Sequence, residues 1–201
     1  MRQIVIDTET TGFSPEKGDR MVEIAAVEMI GGRLTGHCFQ TYLNPQCDIH
    51  PKAQEVHGLS NEFLADKPLF TDVVIDLIRF IDVDVTIGHN FGFDVMFLRY
   101  EMGLLGYEFW DYTEDAIDTL KMARVLFPGK KCSLDILCER YGIDSKSRVL
   151  HGALIDARLT AEVYLAMDMK LPSKEMDVPA ETRKGYDQSK HLVRPNLNTG
   201  G

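Results

Sequence analysis

The order in which strand-like and helix-like segments follow one another limits the folds available to this chain. Residues 3–7 and 22–30 are short runs of β-favouring residues, and Gly31-Gly32 marks a hairpin turn before a third such segment at 33–43. Because turn residues bound each of these runs, the first part of the chain predicts a three-stranded antiparallel meander.

Helical patterns dominate after the meander. Between residues 69 and 82 the apolar side chains recur at the spacing of one helix face, which predicts a helix packed on a core. The other predicted elements are short strands at 85–88 and 116–119, helices at 91–104 and about 152–169, a helix that ends near Pro128-Gly129, and a helix capped by Ser133 that ends near Gly142. This alternation predicts an α/β fold in which helices flank a mixed β-sheet.

Size and composition indicate one folded domain followed by a tail. The chain has 201 residues, which suits a single ordinary domain. After Leu171-Pro172 the composition changes, because the last 31 residues contain only eight apolar side chains. We therefore expect a domain at residues 1–170 and a flexible, disordered tail at residues 171–201.

The charge balance narrows the ways in which this chain can bind nucleic acid. Twenty-two basic and 31 acidic residues give a net charge of −9, which argues against a broad basic surface that grips a phosphate backbone. Divalent cations bound by carboxylates can still supply positive charge locally. The placement of the acids therefore matters more than their number.

The remaining composition favours a cytoplasmic protein with reduced cysteines. No stretch approaches the ~18 to 20 consecutive apolar residues of a membrane span, and the N-terminus lacks the regions of a signal peptide. The four cysteines lack the spacing of a zinc site, so we expect thiols without a metal or a disulfide. We predict no association with a membrane.

Two acids lie on one face of the first strand. Period-two alternation places Asp7 and Glu9 on the face that also carries Val5. Residues two apart in a strand lie about 7 Å apart, which is close for two anions on a half-buried surface unless a cation lies between them. The alternative is a strand end at which both acids reach water.

Two further acids occur within apolar helix faces. Asp94 has Phe91, Phe97 and Leu98 as its helical neighbours, and Asp156 begins a face that continues through apolar residues. A helix dipole stabilises an anion by only about 0.3 to 1 kcal/mol, far less than the several kcal/mol that its desolvation costs. Four unrelated caps or surface charges remain an alternative, but two shared divalent cations explain all four acids. All-oxygen ligands favour Mg²⁺ or Mn²⁺.

His151 adds a candidate general base five residues before Asp156. Five helical residues turn through about 500°, so both side chains cannot face one site from within a regular helix. We therefore expect His151 to lie just before the helix, where Gly152 permits a loop. An imidazole with an ordinary pKa near ~6.5 can accept a proton from water at neutral pH, although a lone histidine is more often structural.

These residues fall into three motifs that resemble those of the DEDDh group of 3′–5′ exonucleases, in the same order and at similar separations. The motifs are Asp7-Thr8-Glu9-Thr10-Thr11-Gly12, His89-Asn90 with Phe93-Asp94, and His151 to Asp156. Within that group the chain looks most like the epsilon proofreading subunits of bacterial DNA polymerase III. The segments that carry this second resemblance are Val56-His57-Gly58-Leu59, Phe127-Pro128-Gly129-Lys130 and Leu150 to Ala157.

The resemblance implies an RNase H-like fold and removal of nucleoside monophosphates from DNA 3′ ends. By position, it implies a general base at His151 and two metal ions held by the carboxylates Asp7, Glu9, Asp94 and Asp156. The metal ions are expected to be Mg²⁺ or Mn²⁺.

The resemblance also implies contacts to the terminal nucleotide. The candidates are Asp7, Glu9, Thr10, Thr11, Lys52, His57, Asn90 and Asp156. Lys52 is a departure, because the epsilon pattern usually has an acid at this place. For residues such as His57, Thr10 and Asn90, a purely structural role in a turn or core is the alternative.

Expected partners are single-stranded or mispaired DNA 3′ ends and the alpha and theta subunits of DNA polymerase III. A sliding clamp is a less certain partner, since residues 188–193 resemble a clamp-binding peptide only faintly and the chain ends at Gly201, where such subunits normally continue. Two alternatives stay open: a free-standing exonuclease that trims DNA or RNA, and a replisome interaction module without catalysis.

Overall fold

A computed structural model describes residues 1–145 and 150–169. The tail predicted at 171–201 and the faint clamp-binding segment at 188–193 lie outside the described residues. The predicted domain at residues 1–170 is therefore described except for residues 146–149 and its last residue.

One five-stranded sheet forms the centre of the molecule. Its strands are β1 (Arg2–Thr10), β2 (Met21–Ile30), β3 (Arg33–Tyr42), β4 (Val83–Gly88) and β5 (Thr113–Asp118), in the spatial order β3-β2-β1-β4-β5. The pairs β1–β2 and β2–β3 are antiparallel, whereas β1–β4 and β4–β5 are parallel. The predicted mixed sheet with an antiparallel meander is confirmed.

Seven helices accompany the sheet within the described residues. They are α1 (Pro51–His57), α2 (Asn61–Leu64), α3 (Phe70–Ile81), α4 (Gly92–Gly103), α5 (Thr119–Leu126), α6 (Leu134–Tyr141) and α7 (Ala153–Asp168). The last five confirm the predicted helices to within a few residues at each end. The predicted side-chain cap of α6 is wrong, because Ser133 occupies the N-cap position without a capping hydrogen bond from its hydroxyl.

The short helices α1 and α2 were not predicted, because neither is long enough to show a helical period. Their ends nevertheless carry ordinary signals. Pro51 occupies the first turn of α1, and Gly58 ends this helix in the left-handed conformation with φ of 73°. Short helices of this kind are recognised by their caps rather than by their hydrophobic pattern.

The two faces of β1 pack against different helices. Ile4 and Ile6 belong to one core together with Leu77 of α3, whereas Val5 belongs to a second core with Val163 of α7. Asp7 and Glu9 continue the Val5 face by strand alternation. This arrangement directs the two acids of β1 toward the layer that contains α7.

The carboxyl ends of β1 and β4 lie at the same edge of the sheet, because these two strands are parallel. At this edge the β1–β2 register shifts between Glu9 and Thr10, and β4 passes into the turn before α4. A bulge of this kind re-aims the side chains that follow it. The candidate site residues Glu9 and Asp94 thus come from elements that meet at one place.

Two further expectations concern membranes and thiols. Among residues 1–145 and 150–169, no helix is both long and apolar enough to span a bilayer. All four cysteines lie in the described ranges, where each is a free thiol.

Helix α3 offers a test of the packing of the first core. Leu77 is fully buried, whereas Ile75 on the same helix is 41% exposed. We expect Leu77→Ala to lower the free energy of unfolding by about 2 to 5 kcal/mol and Ile75→Ala to change it by about 0.5 kcal/mol. Urea unfolding of both variants checks this, and equal losses would contradict the orientation of α3.

Candidate active site

Three of the predicted functional side chains form a compact group. Glu9, His151 and Asp156 each offer one ligand atom, and these atoms lie within 4.8 Å of one another. Glu9 is the second-last residue of β1, His151 precedes α7, and Asp156 lies in the first turn of α7. The fold thus brings together side chains that are far apart in the sequence.

His151 lies before the helix, as its spacing from Asp156 predicts. Gly152 is the N-cap of α7 with an extended backbone, and His151 precedes it. From there His151 Nδ1 lies 3.1 Å from Asp156 Oδ2. The imidazole is 45% exposed whereas the Asp156 carboxylate is 5% exposed, so the ring lies at the open side of the group.

Helix α1 supports the segment that carries His151. The His151 N–H donates to the Val56 carbonyl over 3.1 Å. Leu150 lies so close to Gly58 that a Cβ there would be 2.5 Å from Leu150 Cδ1. A side chain at this place would displace the flexible Leu150 side chain, and the positive φ of Gly58 separately favours glycine.

His57 is the last residue of α1 and is buried beside the same segment. Its Nδ1 accepts a hydrogen bond from the Leu59 N–H over 3.0 Å. Burial lowers the pKa of His57, the nearby Thr10 backbone raises it in part, and the charge of His151 lowers it slightly. A neutral imidazole is therefore favoured between Thr10 and His151.

Asp94 lies in the first turn of α4 and is only 4% exposed. The Thr8 hydroxyl donates to Asp94 Oδ1 over 2.7 Å, which ties α4 to β1. Burial raises the pKa of Asp94 to about 7; the Thr8 hydrogen bond lowers this pKa in part, and the charge of Asp118 raises it slightly. In the protein without metal, this carboxyl group therefore keeps its proton to a higher pH than an ordinary aspartate does.

Asp7 is half-buried and lies opposite Ala25 in the β1–β2 register. Within the described part of the chain, Asp7 and Asp94 are not members of the compact group of Glu9, His151 and Asp156. Asp7 shares the strand face of Glu9, two residues away, and Asp94 is bonded to Thr8 between them. The five predicted catalytic positions thus surround the end of β1.

The turn between β4 and α4 depends on Asp118, which sequence reasoning missed. Asp118 Oδ1 accepts from the Asn90 N–H over 3.1 Å, and the same side chain caps α5 through the N–H of Leu120. Asn90 has a φ of 60°, a left-handed conformation that asparagine tolerates. An acid at a strand end followed by a helical segment is an N-cap signal that could have identified Asp118.

The predicted substrate contacts around the first motif are tied into a loop. The Thr10 hydroxyl donates to the Gly12 carbonyl over 2.6 Å, and Thr11 Oγ1 accepts from the Arg20 N–H over 3.0 Å. Thr11 is fully buried, whereas Lys52 is exposed on α1. The hydroxyls hold the loop in place, and contact of these residues with a substrate remains a prediction.

A further buried acid, Glu23, was also missed. Glu23 lies directly opposite Glu9 in the β1–β2 register and is 2% exposed. Burial raises the pKa of Glu23, hydrogen bonds from Gln40 and Ala153 lower it, and the charge of Asp156 raises it slightly. Its signal in the sequence was an acid inside the apolar run of residues 21–30.

The donor set fits a divalent cation. Glu9 and Asp156 are 8% and 3% exposed, so two carboxylates are concentrated where water screens their repulsion poorly. A cation offsets that repulsion directly, and carboxylate oxygens are preferred by Mg²⁺ and Mn²⁺. The half-exposed imidazole at the rim is positioned for proton transfer or as an additional ligand.

Comparison with known families gives an independent finding. Residues 4–164 match the model of the exonuclease family designated RNase T. A protein of Rickettsia prowazekii (strain Madrid E) is 49% identical over 170 residues, which cover 83% of this chain and 74% of the relative. A protein of Escherichia coli (strain K12) is 43% identical over 189 residues, which cover 91% and 78%. Both relatives bear the name DNA polymerase III subunit epsilon.

Solved structures show the same fold. Exonuclease X in complex with 5′ overhanging duplex DNA is 28% identical, with a TM-score of 0.66 over 86% of this chain and 95% of that protein. E. coli exonuclease I in complex with a dA16 oligonucleotide has a TM-score of 0.74 at 19% identity, over 85% and 41% of the two chains. The second likeness concerns the fold alone.

The raised pKa of Asp94 predicts how the metal-free protein responds to pH. Because the folded-state pKa is about 7 and the ordinary value is 3.8, the stability that Asp94 contributes is present at low pH and is lost as pH rises toward 7. In EDTA, wild type should lose about 3 kcal/mol of unfolding free energy between pH 4.5 and 8 relative to Asp94→Asn.

Urea unfolding across this pH range measures the effect. Asp76→Asn is the matched control, because Asp76 is an exposed α3 acid paired with Arg79 and should leave the pH profile of the wild type unchanged. Parallel profiles for wild type and Asp94→Asn would contradict the proposed burial of a carboxyl group with a raised pKa.

Proposed function

The chain belongs to the RNase T family of exonucleases, and from that premise we propose that it is the 3′–5′ proofreading exonuclease of a bacterial DNA polymerase III, a subunit of the epsilon type. The observation that supports this most directly is the group of Glu9, His151 and Asp156 at the carboxyl end of β1. The relatives named DNA polymerase III subunit epsilon support the proofreading role.

Family membership implies the use of divalent metal, and the carboxylates of this site suit that use. We assign two ions, Mg²⁺ or Mn²⁺, to Asp7, Glu9, Asp94 and Asp156. Bound there, divalent ions supply positive charge that stabilises the attacking and leaving oxygens of phosphodiester hydrolysis. The side chains contribute by placing four carboxyl groups around the end of one strand, where burial of three of them limits screening by water.

His151 is assigned as the general base. Its Nδ1 lies 3.1 Å from Asp156 Oδ2, and its backbone N–H is held by the Val56 carbonyl. When Nδ1 carries the proton and donates a hydrogen bond to Asp156, the lone pair is on Nε2, which can then accept a proton from the attacking water. The carboxylate orients the ring and stabilises the imidazolium that forms.

The terminal nucleotide is assigned to the surface around this group. Thr10, Thr11 and His57 lie on segments that are hydrogen-bonded to one another or to the His151 segment, and Asn90 begins the turn that leads to Asp94. Lys52 is exposed on α1 and offers a positive charge for a phosphate. Asp7, Glu9 and Asp156 would contact the same nucleotide through the metal ions that we assign to them.

A preference for mispaired DNA follows from the cost of separating the terminal base. A terminus must leave its partner strand to reach buried carboxylates, and an unpaired base pays less unstacking and unpairing energy than a paired one. Proofreading selectivity can thus arise without contacts that read the base. By analogy with the relatives named epsilon, we propose that the alpha and theta subunits of DNA polymerase III are partners of this chain.

The direct test is digestion of a 5′-labelled primer with a mismatched 3′ end in Mg²⁺, beside the matched duplex, single-stranded DNA and RNA. Wild type should shorten single-stranded and mismatched DNA fastest, one nucleotide at a time. Asp156→Asn should slow cleavage at least about 100-fold, because loss even of a residue that supports a ligand costs about 10- to 100-fold.

Asp168→Asn is the matched control on the same helix. Asp168 is the exposed last residue of α7, so this variant should cleave like wild type. Faster digestion of RNA than of DNA would change the assignment to RNA trimming. Unchanged activity of a folded Asp156→Asn would contradict the proposed site. If wild type showed no Mg²⁺-dependent digestion of any substrate, the proposed function would be contradicted.

A further inference from the structure

Glu23 is a buried carboxylate that the proposed reaction does not use. It lies in β2, opposite Glu9, and is 2% exposed. One oxygen, Oε1, accepts from the Gln40 amide over 2.7 Å, and the other, Oε2, accepts from the Ala153 N–H over 3.1 Å. Both oxygens are therefore engaged by donors from other elements, β3 and α7.

Helix α7 lacks a cap from its own sequence. Its N-cap residue is Gly152, which has no side chain to accept the first N–H groups of the helix. Glu23 Oε2 takes that role from another strand, because it accepts from Ala153, the first helical residue. A carboxylate at a helix N-terminus is also favoured by the helix dipole.

This contact ties α7, which carries Asp156, to β2, the strand that pairs with β1 and so with Glu9. Glu9 is the cross-strand neighbour of Glu23 in the sheet, and Asp156 lies one turn into the helix that Glu23 caps. His151 precedes the same helix by two residues, so its position also depends on where α7 begins. A shift of the α7 N-terminus would separate Asp156 and His151 from Glu9.

We propose that Glu23 is a positioning residue that caps α7 from β2 and so holds Asp156 and His151 against Glu9 in the geometry that binds metal. This inference rests on the proposed function, since it deepens the assignment of that same site. It depends on the reach of the Glu23 side chain and its hydrogen bond to Ala153.

Two conservative variants separate reach from charge. Glu23→Gln removes the charge but keeps an oxygen for the Ala153 N–H, and its amide can still pair with the Gln40 amide after that side chain turns over. Glu23→Asp keeps the charge but is one methylene shorter, which withdraws the oxygen from Ala153. Both replacements are close in size to glutamate, so both are expected to fold.

Glu28→Asp is the matched control, because Glu28 lies on the same strand and makes its own hydrogen bonds with Arg2 and Thr35. Glu28 lies five positions from Glu23 along the strand, a distance of about 17 Å. The same shortening of a bonded glutamate there should therefore leave metal binding unchanged.

The experiment measures Mn²⁺ binding to the full chain without DNA, by the electron paramagnetic resonance signal of free Mn²⁺, and cleavage of single-stranded DNA as a function of Mn²⁺ concentration. Circular dichroism in EDTA checks folding. For Glu23→Asp we expect about a tenfold or greater rise in the Mn²⁺ concentration at half-saturation in both assays, the usual effect of removing a residue that supports a ligand. Glu23→Gln should stay within about threefold of wild type.

Wild-type Mn²⁺ affinity in Glu23→Asp would overturn the proposal. Weaker Mn²⁺ binding by Glu23→Gln than by Glu23→Asp would also overturn it, since the charge of Glu23 rather than its reach would then matter. A wild type that binds Mn²⁺ but cleaves no DNA would contradict the proposed function alone. The binding assay would still decide the role of Glu23 in that case.

Discussion

Repulsion between carboxylates in a poorly screened place is the constraint on which this structure depends. Glu9, Asp94 and Asp156 are each less than 10% exposed, and they surround the end of one strand. Burial of one unpaired carboxylate costs several kcal/mol, and proximity to others adds to that cost. The metal-free protein meets part of the cost by keeping a proton, since burial raises the pKa of Asp94 to about 7. Divalent cations bound at the proposed site would relieve the rest of this cost and would supply the positive charge that phosphodiester hydrolysis needs.

The fold meets this constraint by anchoring each acid to a different rigid element. Thr8 fixes Asp94 of α4 to β1, and Glu23 fixes the start of α7, and with it Asp156, to β2. The Val56 carbonyl holds the backbone of His151 from α1. These contacts come from strands and helices rather than from long loops. Because such elements are rigid, the distances between the ligand side chains vary little. The free energy lost in burying these acids is thus the cost of holding carboxylates in the positions that the proposed metal site needs.

The acids that could be found from the sequence are those that interrupt the apolar face of an element buried on one side. Asp94 and Asp156 were visible because a helix has one buried face, and His151 because its spacing from Asp156 does not fit a helix. Glu23 was missed because β2 is buried on both faces, so period-two alternation does not distinguish this buried acid from the apolar core residues of the strand. Helix α1 escaped because it is too short for a hydrophobic period, although it supports His151. Long-range hydrogen bonds such as that from Ala153 to Glu23 have no local signature at all.

The central claim is that the carboxylates around β1 bind a pair of divalent ions. The most direct measurement is the electron paramagnetic resonance spectrum of the protein with two equivalents of Mn²⁺ and a deoxynucleoside monophosphate. Ions about 3.5 to 4 Å apart are coupled, so the account predicts the spectrum of a coupled Mn²⁺ pair that disappears in Asp156→Asn. A spectrum of isolated Mn²⁺ ions in wild type, or a coupled pair that persists in Asp156→Asn, would contradict it.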